Sequence, residues 1–340
     1  MATPEKRRVP RRRKLGLDEY VTGVRAGDRA VLGRAITLVE SNAPTDQAVA
    51  QQLLVALMPH TGKSHRIGIT GVPGVGKSTF IEALGTNLTA AGKRVAVLAV
   101  DPSSGRTGGS ILGDKTRMNK LSRDPAAFVR PSPSSGSLGG VSRKTRETML
   151  VCEAAGYDVM LIETVGVGQS ETLVADMVDF FLVLMLGNAG DELQGIKRGI
   201  MELADMIAVN KCDGDNLKHA RLAKRDYSSA LRLMRAAHPD WRPPVIMTSA
   251  LENTGLDVLW EKIDEHRGLF DGNGELQARR RKQMHHWMWS MVDERVLSAV
   301  RTHPRVAALA ATLEDEVLAG KTTPTLGAQA ILKAFGHDPD

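Results

Sequence analysis

Aromatic side chains make up only 4% of the 340 residues. That leaves no evident stacking surface for single-stranded nucleic acid and calls for a core built mainly from Val, Leu, Ile, Met and Ala. Cysteine occurs twice, at Cys152 and Cys212, too far apart for a Cys-x-x-Cys site, and two buried thiols in a reducing compartment are expected. The longest apolar run, Phe180 to Leu186 with its neighbours, falls well short of the roughly 20 residues of a membrane helix, so no membrane partner is expected. The N-terminus lacks the apolar stretch of a secretory signal. A cytoplasmic protein is expected, with the mitochondrial matrix as the counterpart for a eukaryotic source.

The net charge is +6, which on its own suggests a nucleic-acid or membrane surface. Its distribution removes the suggestion. Lys6, Arg7, Arg8, Arg11, Arg12, Arg13 and Lys14, set against Glu5, account for the whole excess. Residues 15–340 are formally neutral, so no nucleic-acid partner is expected, and residues 1–14 read as a disordered basic tail.

From His65 onward, short apolar runs alternate with amphipathic stretches of helix length, the pattern of an α/β fold with a mostly parallel sheet. Strands are expected at Arg66 to Thr70, Arg94 to Val100, Phe128 to Arg130, Tyr157 to Ile162, Phe180 to Leu186, Met206 to Asn210 and Val245 to Thr248. Helices are expected to start near Lys77, Val141, Glu192, Leu217 and Gly255. Residues 15–62 read as a helical N-terminal element, with Val31, Ala35, Leu38 and Val39 and then Val49, Leu53, Leu54 and Leu57 at helical spacing. The α/β domain spans 63–271. Beyond the breaker Gly272-Asn273-Gly274, residues 272–340 read as a helical C-terminal arm, in which Glu275 to Val300 contains neither Gly nor Pro. Met284, Trp287, Met288, Met291 and Val292 form a candidate apolar seam along it.

Gly71-Val72-Pro73-Gly74-Val75-Gly76-Lys77-Ser78, followed by Thr79, matches the P-loop pattern, and it follows a strand and opens a helix as that motif requires. Its glycines let backbone N–H groups wrap a phosphate, Lys77 reaches the β and γ oxygens, and the Ser78 hydroxyl is a Mg²⁺ ligand. Asn210-Lys211-Cys212-Asp213 matches the N-K-x-D box that selects guanine. The Asp213 carboxylate can accept from guanine N1–H and the 2-amino group, whereas adenine offers neither donor there. Ser249-Ala250-Leu251, again at a strand end, fits the loop whose backbone N–H meets guanine O6. These residues point to a P-loop NTPase that binds GTP or GDP.

The segment Asp158 to Gly166 resembles a Walker B strand, with Glu163 in place of the Asp of Ras-like GTPases. Val167 follows Gly166, so the water-positioning glutamine of those enzymes has no counterpart. Asp101 closes another strand and Asp114 lies in the loop beyond it. With Ser78 and Glu163 they are the candidate Mg²⁺ ligands, and Asp101 and Asp114 are each also readable as a turn or cap residue.

With these residues identified, the chain resembles the MeaB/MMAA family, also called ArgK, of GTPases that accompany adenosylcobalamin-dependent acyl-CoA mutases. The likeness runs through Ala35 to Ser41, the P-loop, Asp101-Pro102-Ser103-Ser104, Thr107 to Lys115, Glu163 to Ser170, Gly190 to Lys197 and Asn210-Lys211. The resemblance implies a homodimer with a helical N-terminal element, a central GTPase domain and a C-terminal dimerisation arm. It further implies a chaperone of a methylmalonyl-CoA mutase-type enzyme, gating cofactor loading and expelling damaged cofactor, with the supplying adenosyltransferase as a further partner. By position it places Ser78, Asp101, Asp114 and Glu163 around Mg²⁺ and Asp191 to Lys197 in a switch. Lys197, a cation able to approach developing phosphate charge, is then the candidate to complete the catalytic set with Lys77 and Glu163. Two alternatives stay open: a transport-associated kinase or ATPase, the label attached to ArgK relatives, and a metallochaperone GTPase, for which His285-His286 is the one adjacent His pair and lacks a Cys companion.

Overall fold

The computed structural model describes residues 13–100, 118–131, 138–164, 170–187, 198–234 and 238–337. The chain divides into two compact units, 1–277 and 278–340.

The first unit opens with three helices, α1 (Leu17–Arg25), α2 (Arg29–Glu40) and α3 (Pro44–Leu57). Asp28 caps α2, its carboxylate accepting from Ala30 N–H at 2.8 Å and Val31 N–H at 3.1 Å, which satisfies two of the amides a helix start leaves unpaired. Then come β1 (His65–Gly71), α4 (Lys77–Ala90), β2 (Val95–Val100), α5 (Asn119–Arg123), β3 (Ala127–Arg130), α6 (Leu138–Ala154) and β4 (Val159–Thr164). The unit continues with α7 (Ser170–Ala175), β5 (Phe180–Leu186), α8 (Arg198–Leu203), β6 (Met206–Asn210), α9 (Leu217–Leu233), β7 (Val245–Met247) and α10 (Leu256–Gly272).

The seven strands form one parallel sheet in the order β3-β2-β4-β1-β5-β6-β7. Strand alternation splits the core in two. Ala96, Leu98, Met160, Ile162, Phe181, Val183, Ile207 and Val209 face one side, where α1–α3, α6 and α9 pack. Ile67, Ile69, Val95, Val97, Leu161, Leu182 and Leu184 face the other, against Phe80, Ile81 and Leu84 of α4 and Leu259 and Ile263 of α10. A parallel sheet covered on both faces reads as continuous apolar runs, which is why the strands were legible in the sequence. The short α5 and α7 were not expected, since five or six residues cannot establish a 3.6-residue period. The helix start expected near Glu192 lies outside the described residues. Cys152 is buried as expected, but Cys212 is only half-buried, because it sits in a loop at the sheet's edge.

The second unit contains most of α11 (Glu275–Thr302), then α12 (Pro304–Leu318) and α13 (Pro324–Phe335). Pro304 and Pro324 occupy the first turns, where a missing N–H is harmless, and Thr323 Oγ1 accepts from Leu326 N–H at 3.2 Å. The His303 and Phe335 rings meet edge-on at 5.4 Å. No helix among the described residues is long and apolar enough to cross a membrane.

Candidate functional site

The C-terminal ends of β1, β4, β6 and β7 converge on one edge of the sheet, and β1 lies between β4 and β5. The chain reverses its direction of travel across the sheet at β1, which is where parallel α/β sheets open a crevice for ligands.

β1 runs into Val72–Gly76 and α4 begins at Lys77. Gly76, the cap of α4, has φ +90°, a left-handed conformation that costs glycine little and strains other residues. A Cβ on Gly71 would lie 2.5 Å from the Leu184 carbonyl oxygen, so close packing against β5 demands glycine there too. Val75 is fully buried, while Pro73, Gly74 and Thr79 are exposed. Lys77 Nζ donates to Gly71 O at 2.8 Å, curling back over the loop. Burial holds its pKa below the usual lysine value, against the opposing charges of Glu163 and Glu171.

Ser78 Oγ donates to Glu163 Oε1 at 3.3 Å. Glu163 is buried at the end of β4, where Thr164 Oγ1 donates to Thr70 Oγ1 at 2.8 Å and pins β4 to β1. A hydroxyl and a carboxylate side by side are hard oxygen donors suited to Mg²⁺. No cluster of three or more His, Cys, Asp or Glu able to hold a metal occurs among the described residues. Asp101, Asp114 and Lys197 lie outside the described residues.

The second loop closes over the first. Asn210 is buried, and its Nδ2 donates to Val75 O at 2.9 Å. Its Oδ1 accepts from Thr248 Oγ1 and from Ala250 N–H, both at 3.3 Å. One amide thus ties together the P-loop, the end of β6 and the loop after β7. Lys211 adopts φ +61°, and its stem passes close to the P-loop, with Cε 3.7 Å from where a Gly76 Cβ would stand. Cys212 N–H donates to Thr248 O at 3.0 Å. Asp213 Oδ2 accepts from the buried Ser249 hydroxyl, which fixes the carboxylate's rotamer. Leu251 is 82% exposed at the rim. The structure therefore brings Gly71–Ser78, Glu163, Asn210–Asp213 and Ser249–Ala250 to one edge. Sequence reasoning missed Thr248, the Thr70–Thr164 pair and Glu171; Thr248 could have been found as the residue preceding Ser249-Ala250, whereas Glu171 stands outside every motif.

Residues 32–305 match the family profile described as methylmalonyl Co-A mutase-associated GTPase MeaB. A Caulobacter vibrioides protein named as a GTPase is 59% identical over 322 residues, covering 95% of this chain and 98% of its own. The mitochondrial methylmalonic aciduria type A homolog of Mus musculus is 48% identical over 329 residues, covering 94% and 79%. A crystal structure of a LAO/AO transport system kinase superimposes with a TM-score of 0.77 at 42% identity, covering 93% and 96%. With this profile match across most of its length, laid over a P-loop and a guanine box joined through Asn210, the chain belongs to the MeaB family of GTPases.

Proposed function

We propose that this protein is a Mg²⁺-dependent GTPase that acts as a homodimeric chaperone of an adenosylcobalamin-dependent acyl-CoA mutase of the methylmalonyl-CoA type. In this reading it gates cofactor loading and protects or reactivates the mutase, in the cytoplasm. The observation that carries it is the Asp213–Ser249 contact beside Asn210 and the P-loop. A carboxylate aimed by a neighbouring hydroxyl can accept from guanine and has no use for adenine. The mutase assignment is supported by the family description and by the name of the mouse relative.

The roles follow from the residues. Backbone N–H groups of Val72–Ser78 and the α4 N-terminus receive the β-phosphate, and Lys77 exchanges the Gly71 carbonyl for phosphate oxygen. Ala250 and Leu251 supply the backbone near guanine O6. Ser78 and Glu163, with Asp101 and Asp114, would hold Mg²⁺, which neutralises phosphate charge when bound. Lys197 completes the set when the mutase rearranges its segment. A transport-associated ATPase would need an adenine site, and the Asp213 arrangement favours guanine over it.

Single-turnover GTP hydrolysis, with and without an adenosylcobalamin-dependent mutase from the same host, tests the proposal. The isolated protein should be slow and the mutase should accelerate it, with Lys197→Ala losing most of the acceleration. Equal acceleration of both proteins removes Lys197 from the coupling, and no acceleration of either removes the mutase.

A further inference from the structure

Outside the machinery just described, the guanine loop has a second attachment to the phosphate-binding helix. Residues 249–254 form a small closed loop, with Ser249 N–H donating to Thr254 O and Thr254 N–H donating to Ser249 O, each at 3.0 Å. Inside it the Ser249 hydroxyl accepts from Glu252 N–H at 3.1 Å while donating to Asp213. Next to Thr254 stands Asn253 at φ +55°, a left-handed conformation that Asn tolerates better than most residues. The other described non-glycine residue with positive φ is Lys211, in the facing guanine box.

The Asn253 side chain points away from that loop onto α4. Asn87 Nδ2 donates to Asn253 Oδ1 at 2.8 Å, and Asn253 Nδ2 donates back to Asn87 Oδ1 at 3.1 Å. Two amides facing each other in this way satisfy a donor and an acceptor on each partner and fix their relative orientation. Asn87 lies less than three turns along the helix that Lys77 opens, about 15 Å at 1.5 Å per residue. The two base-side loops are thus each held to the phosphate-binding segment at one point: Asn210, at the end of β6, on Val75 inside, and Asn253, in the loop after β7, on Asn87 outside.

We propose that Asn87 and Asn253 are positioning residues for base selection: their clasp holds the 249–254 loop so that Ser249 keeps the Asp213 carboxylate aimed at the guanine edge. The proposal rests on the reading of Asp213 as the base-recognising group. The clasp is accessible to water, so each of its hydrogen bonds contributes modestly; its effect lies in the angle at which Asp213 meets two donors.

Comparison of GDP with IDP isolates that angle, because hypoxanthine keeps N1–H and lacks the 2-amino group. Dissociation constants for both are to be measured by calorimetry on the full chain. The wild type should prefer GDP. Asn87→Ala and Asn253→Gly, the latter keeping a residue at ease with positive φ, should each shrink the GDP:IDP ratio about three- to tenfold. The double variant should match either single one, and Asn87→Asp, which can still accept from Asn253, should recover part of the ratio. If both ligands weaken equally, or only thermal stability falls, the pair is structural and the proposal is overturned. Asp213→Asn separates the failures. GDP binding that survives it overturns the base-site reading and the clasp together, whereas loss there with an unchanged ratio in the amide variants overturns the clasp alone.

Discussion

Burial lowers the proton affinity of side chains at both ends of β1, with different consequences. Lys77, just beyond its end, has its pKa held below the usual lysine value by burial, with the Glu163 and Glu171 charges pulling the other way. His65, at its start, has an Asp264 carboxylate oxygen 3.6 Å from Nε2, an arrangement that by itself favours imidazolium. Asp264 is half-exposed, and its field is screened by water. Burial of His65 and the Arg267 guanidinium outweigh it, bringing the pKa down from 6.5 to about 4. The neutral ring lies at 45° to Trp260, 5.4 Å away. The unfolded chain therefore binds a proton in a window where the folded one does not, and stability drains as pH falls from 6.5 to about 4. The shift corresponds to up to about 3 kcal/mol. Urea denaturation between about pH 7 and about pH 4 should show His65→Asn losing less stability than wild type by most of that amount. Parallel profiles would mean that His65 takes up no extra proton on unfolding. None of this was legible in the sequence, where His65 reads only as the edge of a strand, because the shift depends on residues some 200 positions away.

At the scale of elements, the strands were legible and the content of α6 was not. Phe180–Leu186 and Met206–Asn210 fall where their apolar runs place them, and α6 starts three residues before the expected Val141. What the pattern hides is that α6 buries Ser142, Lys144, Thr145, Arg146, Glu147, Thr148 and Glu153, residues that by type belong in water. They are inside because α1–α3 cover the helix, and two of the carboxylates, Glu147 and Glu153, find partners on α3, on β1 and in the segment before it. Gln51 of α3 donates to Glu147 at 2.9 Å. Arg66 of β1 reaches Glu153 with both arms of its fork, at 2.7 and 2.9 Å, and Gly62 N–H adds a third contact at 2.8 Å. Beside them, Arg130 at the end of β3 pairs with Glu40 at the end of α2. Removing one member of a buried pair strands the other charge, so Glu153→Ala should cost about 3 kcal/mol or more in urea denaturation. The double change Arg66→Met with Glu153→Leu should recover most of it, since a buried pair is worth little over an apolar replacement of similar volume. A single variant within about 0.5 kcal/mol of wild type would show that Arg66 finds water instead.

At the scale of the whole chain, the candidate nucleotide site was legible because its parts are short local motifs, and a parallel sheet delivers strand ends to one edge whatever their distance in sequence. The second unit offers no such motif, and its structure raises a different question. Among the described residues of 278–340, Val306 is the one buried hydrophobic side chain. A unit of roughly 60 residues needs far more apolar burial than that to be stable by itself. Along α11, Met284, Met288, Val292 and Val296 recur every fourth residue and are 53%, 47%, 40% and 51% exposed. Trp289 and Leu297 widen the stripe. Side chains four apart share one helix face, and the same stripe on a second copy would bury it about a twofold axis. Of the five seam residues expected from sequence, Trp287 and Met291 are instead partly buried, so the exposed line runs one residue to the side and further toward the C-terminus. Full-length protein should therefore scatter light as a dimer, and its melting temperature should rise with protein concentration, as it does when folding and association are linked. The pair Met288→Glu and Val292→Glu places two charges in the stripe and should give a monomer whose GTP affinity stays within about twofold of wild type, since neither residue belongs to the motifs of the candidate nucleotide site. A variant that remains dimeric at the same concentration would move the interface off α11.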